Sequence, residues 1–328
     1  MRSYLVVAVA LVANGAWADD LLVCDLLGDQ VLRYDGTTGS FLGVFASGPF
    51  DGPEGITVGP DGNVYIASEY SSNVTKWSPS GAYLGEFVAP GVGGLSGEQD
   101  LEFGPDGNLY VMSHITLASN SIWKFDGTTG AFLGPHGLGG GPGHTHGMTW
   151  RPSDGNVYQL FLPGTAAEVR RFDAVTGAML APFTGHTSLA IANDLLFGPD
   201  GHLYVSNPLI GGFLVGGVVR FDGATGAYMG VFSDVGAPTS TWGMAFKDGF
   251  FYYAAGSGIA RVSAATGGTA TAFVSPGAGG MSAASGIAFL PPVPEPSSLF
   301  ALSSLSAGFY LRRRLNANNR LYVGHPIH

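Results

Sequence analysis

The residues best suited to chemistry recur at one position relative to six similar apolar segments. These segments end at Val58, Phe103, Trp150, Phe197, Phe246 and Phe289. Four residues before the ends are Glu54, Gln99, His146, Asn193, Trp242 and Ser285. The next position holds Gly55, Asp100, Gly147, Asp194, Gly243 and Gly286. Carboxylate and carboxamide oxygens are the ligands that hard cations prefer, so a fold that gathers these residues can bind Ca²⁺ or another divalent cation.

Seven of these side chains are the candidate binding residues: Glu54, Gln99, Asp100, His146, Asn193, Asp194 and Trp242. The candidate catalytic groups are Glu54 and His146, because a carboxylate or an imidazole can serve as a general base. The alternative is a solvated polar ring that binds no metal.

A second pattern is His144-Thr145-His146, which lies in a glycine-rich stretch with His136 nearby. A His-x-His pair can chelate Zn²⁺ or supply a general base, and the alternative is a histidine pair in a loop without metal. The sequence has no Gly-x-Ser-x-Gly, Walker or Cys-x-x-Cys motif. Its glycines follow strand turns and do not open helices, which argues against a phosphate-binding loop.

The elements that must position these residues are short strands joined by tight turns. Gly-Pro-Asp-Gly-Asn follows the apolar segments at 59–63 and 104–108, and variants occur at 154–156, 198–202 and 247–249. Proline fixes φ at the second turn position, aspartate tolerates the third and glycine suits the fourth. The predicted turn formers are therefore Asp61, Asp106, Asp154, Asp200 and Asp248.

The spacing of the apolar segments predicts the fold. Their last residues are 43 to 49 residues apart, and a second strand–loop–strand marker recurs half a unit later, at 34–39, 125–130, 172–177 and 221–226. Periods of this length with four strands each are typical of propeller blades. The chain begins and ends in mid-unit, so joining its ends completes a sixth blade and removes exposed sheet edges. We expect an all-β, six-bladed β-propeller of four-stranded blades at 19–290, closed by pairing the N-terminal strands with the last inner strand.

The charge distribution limits the choice of partners. All 24 acidic residues lie between positions 19 and 295, whereas five of the 14 basic residues lie outside that range. Such an acidic body disfavours nucleic acid, whose binding depends on basic residues that neutralise phosphates. Cys24 is the only cysteine, so no intrachain disulfide can form. It is interpreted as a buried thiol, with a lipidated cysteine as the alternative.

The two ends have the character of processing signals. Residues 1–18 contain a basic start, an apolar run and Ala-x-Ala, which predicts a signal peptide cleaved after Ala18. At the other end, Pro294-Glu295-Pro296 precedes the uncharged segment 297–311 and the basic cluster Arg312-Arg313-Arg314. That segment predicts a short transmembrane helix with its basic end in the cytoplasm. The alternative is a buried terminal helix of the globular domain.

The Pro-Glu-Pro motif, apolar segment and arginine cluster at 293–314 resemble the PEP-CTERM sorting signal. The resemblance implies recognition by a membrane-embedded exosortase, cleavage near the motif and release of the body, often alongside exopolysaccharide. We assign 291–314 to this signal and 315–328 to a basic and polar tail, which such signals usually lack. The expected route leads from an inner-membrane-anchored precursor to the periplasm, the outer surface or the extracellular matrix.

The repeat unit is similar to the NHL repeat. The best copy spans 56–87 and contains Asp-Gly-Asn-Val-Tyr at 61–65. The rhythm of about 20–290 also resembles gluconolactonase-like enzymes and streptogramin lyases. The first resemblance implies a divalent metal held by a Glu, an Asn and an Asp. Glu54 and Asn193 match that pattern, but Asp194 replaces the glycine that follows the Asn. The metal ligands that the resemblance implies are Glu54, Asn193 and Asp194. Streptogramin lyases are implied to use histidine and glutamate at their channel mouth, and no local motif here matches theirs.

Three functions are compatible with the sequence. The first is a non-enzymatic envelope or surface protein that binds a glycan, a matrix component or a protein on a propeller face. The second is a divalent-metal-dependent, lactonase-like hydrolase or lyase that acts at the channel mouth. The third is a structural surface module without a ligand. Propellers host many chemistries, so the fold does not choose among them.

Overall fold

The computed structural model describes residues 19–113, 120–139, 144–162, 167–189, 191–206, 209–210, 213–214, 216–234 and 240–291. All of them fall in one compact unit that ends at Pro291. The expected signal peptide at 1–18, the apolar helix at 297–311 and the tail at 315–328 lie outside the described residues. Within the described part, no helix is long and apolar enough to span a bilayer.

Six antiparallel sheets form the blades. From the innermost strand outwards, blade 1 contains Ala284–Leu290, Asp20–Asp25, Gln30–Asp35 and Phe41–Ser47. Blade 2 contains Pro53–Val58, Val64–Ser68, Asn73–Trp77 and Tyr83–Val88. Blade 3 contains Glu98–Phe103, Leu109–Ser113, Asn120–Phe125 and Phe132–Gly139.

The other three blades follow the same order. Blade 4 contains His144–Trp150, Val157–Leu162, Glu168–Phe172 and Thr184–Gly185. Blade 5 contains Leu195–Phe197, Leu203–Ser206, Gly217–Phe221 and Tyr228–Asp234. Blade 6 contains Thr241–Lys247, Phe250–Ala255, Gly258–Ser263 and Thr271–Val274. The prediction of an all-β, six-bladed propeller is confirmed.

The remaining elements are short. Leu209–Ile210 and Phe213–Leu214 form a separate hairpin. The 3₁₀ helices are Val92–Gly94, Thr187–Leu189 and Ala278–Gly280. The innermost strands of successive blades contact one another in a closed ring. The channel that they enclose is where the ring of polar residues must lie.

Blade 1 joins segments that are distant in the sequence. Leu21 pairs with Phe289, and Val23 pairs with Ile287, in the antiparallel register of the two strands. Beyond the end of this pairing, the Asp25 carboxylate accepts hydrogen bonds from the backbone N–H groups of Ser282 (2.9 Å) and Ala283 (2.8 Å). These contacts fix the N-terminal strand against the last described part of the chain.

The cores lie between neighbouring blades. Tyr65 is fully buried, and its ring centroid lies 4.9 Å from those of Phe87 and Phe103, both in edge-on arrangements. Phe103 ends the inner strand of the next blade, so a single tyrosine joins two blades. Edge-on aromatic pairs of this kind add to the stabilisation that burial provides. The same tyrosine position recurs in blades 3 to 5 as Tyr110, Tyr158 and Tyr204.

Four of the five predicted turn aspartates hold their turns through side-chain hydrogen bonds: Asp61, Asp106, Asp154 and Asp200. One Asp61 oxygen accepts the backbone N–H of Asn63 (3.0 Å), and the other lies 3.0 Å from the Tyr65 hydroxyl and 2.8 Å from Lys76 Nζ. Partial burial acts to raise the pKa of Asp61, but these donors outweigh it and hold the pKa at about 2. The hydroxyl contact recurs in the next three blades, at Asp106, Asp154 and Asp200.

Every blade has the four strands that the sequence predicts, but the outer strands differ in length and number. In blade 4 the outermost strand is only Thr184–Gly185, and Met179 forms an isolated bridge with Phe172. Pro182 interrupts this stretch, because proline cannot donate a hydrogen bond to a neighbouring strand. Blade 5 instead gains a fifth strand, Gly268–Thr269, which pairs in parallel with its outer strand.

Candidate functional site

The inner strands are irregular where the polar ring begins. The pairing register shifts between Pro53 and Gly55, and between Glu98 and Asp100. Similar shifts occur in blades 1, 4 and 6. A bulge places two residues of one strand opposite one residue of its partner and re-aims the side chains.

One cavity of about 210 Å³ lies within the ring of inner strands. Six of the seven candidate binding residues line it: Glu54, Asp100, His146, Asn193, Asp194 and Trp242. The side chain of the seventh, Gln99, lies outside the described part of the structure. Repeats 40 to 50 residues apart therefore deliver their polar residues to one site, which we call the channel mouth.

Glu54 is the most confined carboxyl group of the mouth. Its side chain is only 6% exposed, and its Oε2 has no hydrogen-bond partner among the described residues. Burial raises the pKa of Glu54 well above its usual range, and the negative charges of Glu69 and Asp100, together with a side-chain hydrogen bond to Glu69, raise it further. Glu69 comes close because the hairpin pairs its backbone N–H with the Gly52 carbonyl (2.8 Å).

Asp100 and Asp194 connect neighbouring blades. The Asp100 carboxylate accepts the backbone N–H of Leu101 (2.8 Å) and that of Met148 in the next blade (2.7 Å). Asp194 repeats this arrangement with Leu195 and Met244, each at 2.7 Å. These bonds favour the charged form, but burial outweighs them and raises the pKa of Asp100 to about 6.

Glu102 belongs to the site, although the sequence analysis did not single it out. It lines the cavity two residues after Asp100. Burial raises the pKa of Glu102 well above its usual range, and the charges of Asp100 and Asp194 add to the effect. The sequence alone could have predicted that Glu102 joins Asp100 in the site, because residues two apart on a strand face the same side of the sheet.

Asn193 is held in one orientation. Its side chain is 9% exposed, and Nδ2 donates to the Thr241 carbonyl in the next blade (2.7 Å). The amide oxygen is thereby turned away from that carbonyl and can accept a hydrogen bond from a ligand. Ser285, the corresponding residue of blade 1, donates instead to the Pro53 carbonyl (2.9 Å) and has a structural role.

Two rings form the aromatic wall of the mouth. The centroids of His146 and Trp242 lie 6.4 Å apart in an edge-on arrangement, and both side chains are partly exposed. Trp242 also lines a neighbouring cavity of about 260 Å³, together with Leu27 and Ser257. This wall offers apolar surface next to the carboxyl groups.

The histidines do not form a cluster of three. His136 is 5% exposed and packs against Tyr110 and Trp150, with ring centroids 4.8 and 6.2 Å away. His144 is exposed, and of the three only His146 lines the cavity. Among the described residues, no group of three or more His, Cys, Asp or Glu side chains could hold a metal ion.

The chemistry of the donors nevertheless suits a hard cation. Glu54 provides an oxygen without a partner, Asn193 provides an oriented amide oxygen, and Asp194 provides a carboxylate. Oxygen donors of this type are the ligands of Ca²⁺ and related ions. Glu54, Asn193 and Asp194 are therefore the residues that would hold such an ion.

The comparisons with known proteins concern the tail and the fold separately. Residues 292–314 match the PEP-CTERM protein-sorting motif. No curated protein sequence matches the chain. Many solved structures share the fold, at sequence identities that support likeness of fold alone.

Three structures illustrate this likeness. The Nidogen/Laminin complex gives a TM-score of 0.65 at 14% identity, covering 84% of this chain and 99% of that one. A periplasmic gluconolactonase of Pseudomonas aeruginosa gives 0.55 at 16%, covering 84% and 99%. A Xanthomonas campestris gluconolactonase gives 0.53 at 16%, covering 72% and 82%. The chain therefore carries a PEP-CTERM sorting motif, which implies processing by an exosortase, and its body shares the fold of these propellers.

Proposed function

We propose that this protein is a surface or matrix protein that binds a glycan at the channel mouth. The observation that supports this most is the lining of the 210 Å³ cavity, where carboxyl groups and an oriented amide lie beside Trp242. Sites for small polar ligands combine a few placed polar groups with apolar and aromatic walls. Sugar hydroxyls donate to carboxylate and amide oxygens, and the C–H face of a sugar ring packs on an aromatic side chain.

The predicted signal peptide and the PEP-CTERM motif support a location of this site outside the cytoplasm. In our proposal a signal peptidase cleaves after Ala18, and the segment 297–311 holds the precursor in the inner membrane. An exosortase then cuts near Pro294-Glu295-Pro296 and releases the propeller to the periplasm, the outer surface or the extracellular matrix. Exopolysaccharide and surface proteins are the partners available there.

A glycan-binding assay with a matched pair of variants tests the proposal. The purified protein is applied to an array of neutral, acidic and basic oligosaccharides. We expect binding to at least one class, lost in Trp242→Ala and retained in Tyr83→Ala, since Tyr83 is exposed (45%) on an outer strand. Failure of the protein to bind any class, or equal loss in both variants, would contradict the proposal.

A second candidate is a divalent-metal-dependent lactonase-like enzyme. It is favoured by the unpartnered Glu54 oxygen and by the likeness of the fold to two gluconolactonases. A bound ion would polarise a lactone carbonyl as a Lewis acid. Glu54, Asn193 and Asp194 would hold the ion, and His146 would lie at the mouth as the candidate base.

Metal analysis and a lactone screen test this candidate. It predicts one divalent ion per chain, and loss of both the metal and lactone hydrolysis in Glu54→Ala. A metal-free protein that is inert on lactones and on lyase substrates would rule it out and leave glycan binding, or a structural module without ligand, as the function.

A further inference from the structure

The channel mouth is unbalanced in charge. Four carboxyl side chains line it: Glu54, Asp100, Glu102 and Asp194. Among the described residues that line it there is no lysine or arginine, and His146 is the single basic side chain. Buried charges are stable only when they are paired, so this cavity favours a cationic occupant over an anionic one.

Glu54 provides an independent indication of a ligand. Its Oε2 is buried, lies in a residue that lines the cavity and accepts no hydrogen bond from a described donor, and the Glu69 carboxyl that hydrogen-bonds with Glu54 is a second acid without positive charge. Leaving a buried acceptor unsatisfied costs free energy comparable to a lost hydrogen bond. A donor that arrives with a ligand removes that cost, and a charged donor removes more of it than a hydroxyl does.

The other polar groups already have partners. Both oxygens of Asp100 and of Asp194 accept backbone N–H groups. Asn193 donates through Nδ2 and keeps its oxygen as an acceptor. An incoming group must therefore bring donors and positive charge, and an ammonium group has three donors and no acceptor.

We propose that the glycan is an amino sugar, or a chain that contains one, and that its unacetylated ammonium group binds Glu54 at the channel mouth. The sugar ring packs against Trp242, and its hydroxyls donate to the Asn193 amide oxygen. The ammonium supplies positive charge to a carboxyl cluster that has no lysine or arginine among its described lining residues. This inference rests on the proposed glycan binding and specifies the class of glycan.

The test uses two disaccharides that differ in charge and are otherwise alike. Binding of β-1,4-linked diglucosamine and of its N,N′-diacetyl form is measured by calorimetry at pH 6.5, with EDTA present to remove divalent cations. A hydrogen bond to a charged group favours the charged ligand, so we expect diglucosamine to bind about tenfold or more tightly. Glu54→Gln should bring the two affinities within about twofold of each other.

A control variant distinguishes binding of the ammonium at Glu54 from nonspecific attraction of a cationic sugar to an acidic protein surface. Glu86→Gln removes one carboxylate from the outer strand of blade 2 and should leave the preference for diglucosamine intact. Equal binding of both disaccharides, or a preference that persists in Glu54→Gln, would overturn the inference while glycan binding stands. Absence of binding to any sugar would overturn the proposed function as well.

Discussion

Replacing Glu102 by glutamine tests whether the channel mouth is a cluster of mutually repelling acids. Glutamine keeps the shape of the side chain and an acceptor for the Trp150 backbone N–H, but it removes the charge. In the wild type, burial raises the pKa of Glu102, and the charges of Asp100 and Asp194 add to the effect. The folded protein therefore holds this proton more tightly than the unfolded chain does.

The direction of the pH dependence follows from this difference. An acid whose pKa is raised on folding does not lower the free energy of unfolding at a pH below its unfolded pKa, which is near 4. As the pH rises towards the folded pKa, the free energy of unfolding falls, because only the unfolded chain then releases the proton freely. At Asp100 the rise from 3.8 to about 6 corresponds to about 3 kcal/mol. With allowance for water and relaxation in a partly open channel, we expect Glu102→Gln to stabilise the fold by about 1 to 3 kcal/mol at pH 7.5.

The assay is urea denaturation at pH 4.0 and pH 7.5, in EDTA. The gain from Glu102→Gln should appear at pH 7.5 and shrink at pH 4.0, where the wild-type carboxyl is protonated. Glu86→Gln on the outer strand should change stability by no more than about 0.5 kcal/mol at either pH. Destabilisation by Glu102→Gln at pH 7.5, or an equal effect at both pH values, would refute the reasoning.

Three further predictions concern the turns, the blade contacts and the tail. Asp61→Asn should destabilise the fold at pH 7, and by only about 1 kcal/mol, because water screens the 39% exposed carboxylate. The loss of stability, measured by urea titration, should fade as the pH approaches 2 and should be absent in Asp248→Asn. Gly286→Ala should cost about 3 kcal/mol, since its Cβ would lie 2.1 Å from the Glu54 carbonyl. Gly62→Ala meets no atom and should cost only about 1 kcal/mol, from its positive φ, in thermal melts. Glu295→Ala should leave the precursor in the membrane fraction of an exosortase-containing host, and unchanged release on immunoblots would exclude exosortase handling.

The fold was predictable because its determinants are local. The turn containing Asp61 specifies its own hydrogen bonds within four residues, and the same arrangement recurs along the chain. Recurrence at a fixed period then predicts the blades. The shortness of the outer strand of blade 4 was not predicted. Pro182 interrupts the local pattern there, and pairing depends on which backbone N–H and C=O groups remain free to form hydrogen bonds.

The site was predictable only in part. The position of Glu54 follows from aligning the repeats, and so does that of Asn193. The approach of Glu69 to Glu54 depends on the register shift of the hairpin, which a pattern of residue types does not specify. Glu102 was missed because its strand was interpreted as apolar, although its spacing of two from Asp100 places both on one face.

The central claim is that the channel mouth binds a cationic sugar through Glu54. The most direct measurement is a crystal structure of the protein soaked with β-1,4-linked diglucosamine. We expect one sugar ring beside Trp242, with its ammonium nitrogen within about 3 Å of a Glu54 carboxylate oxygen. A mouth that stays free of sugar at saturating concentration, or a ring that turns a hydroxyl rather than the ammonium to Glu54, would contradict the account.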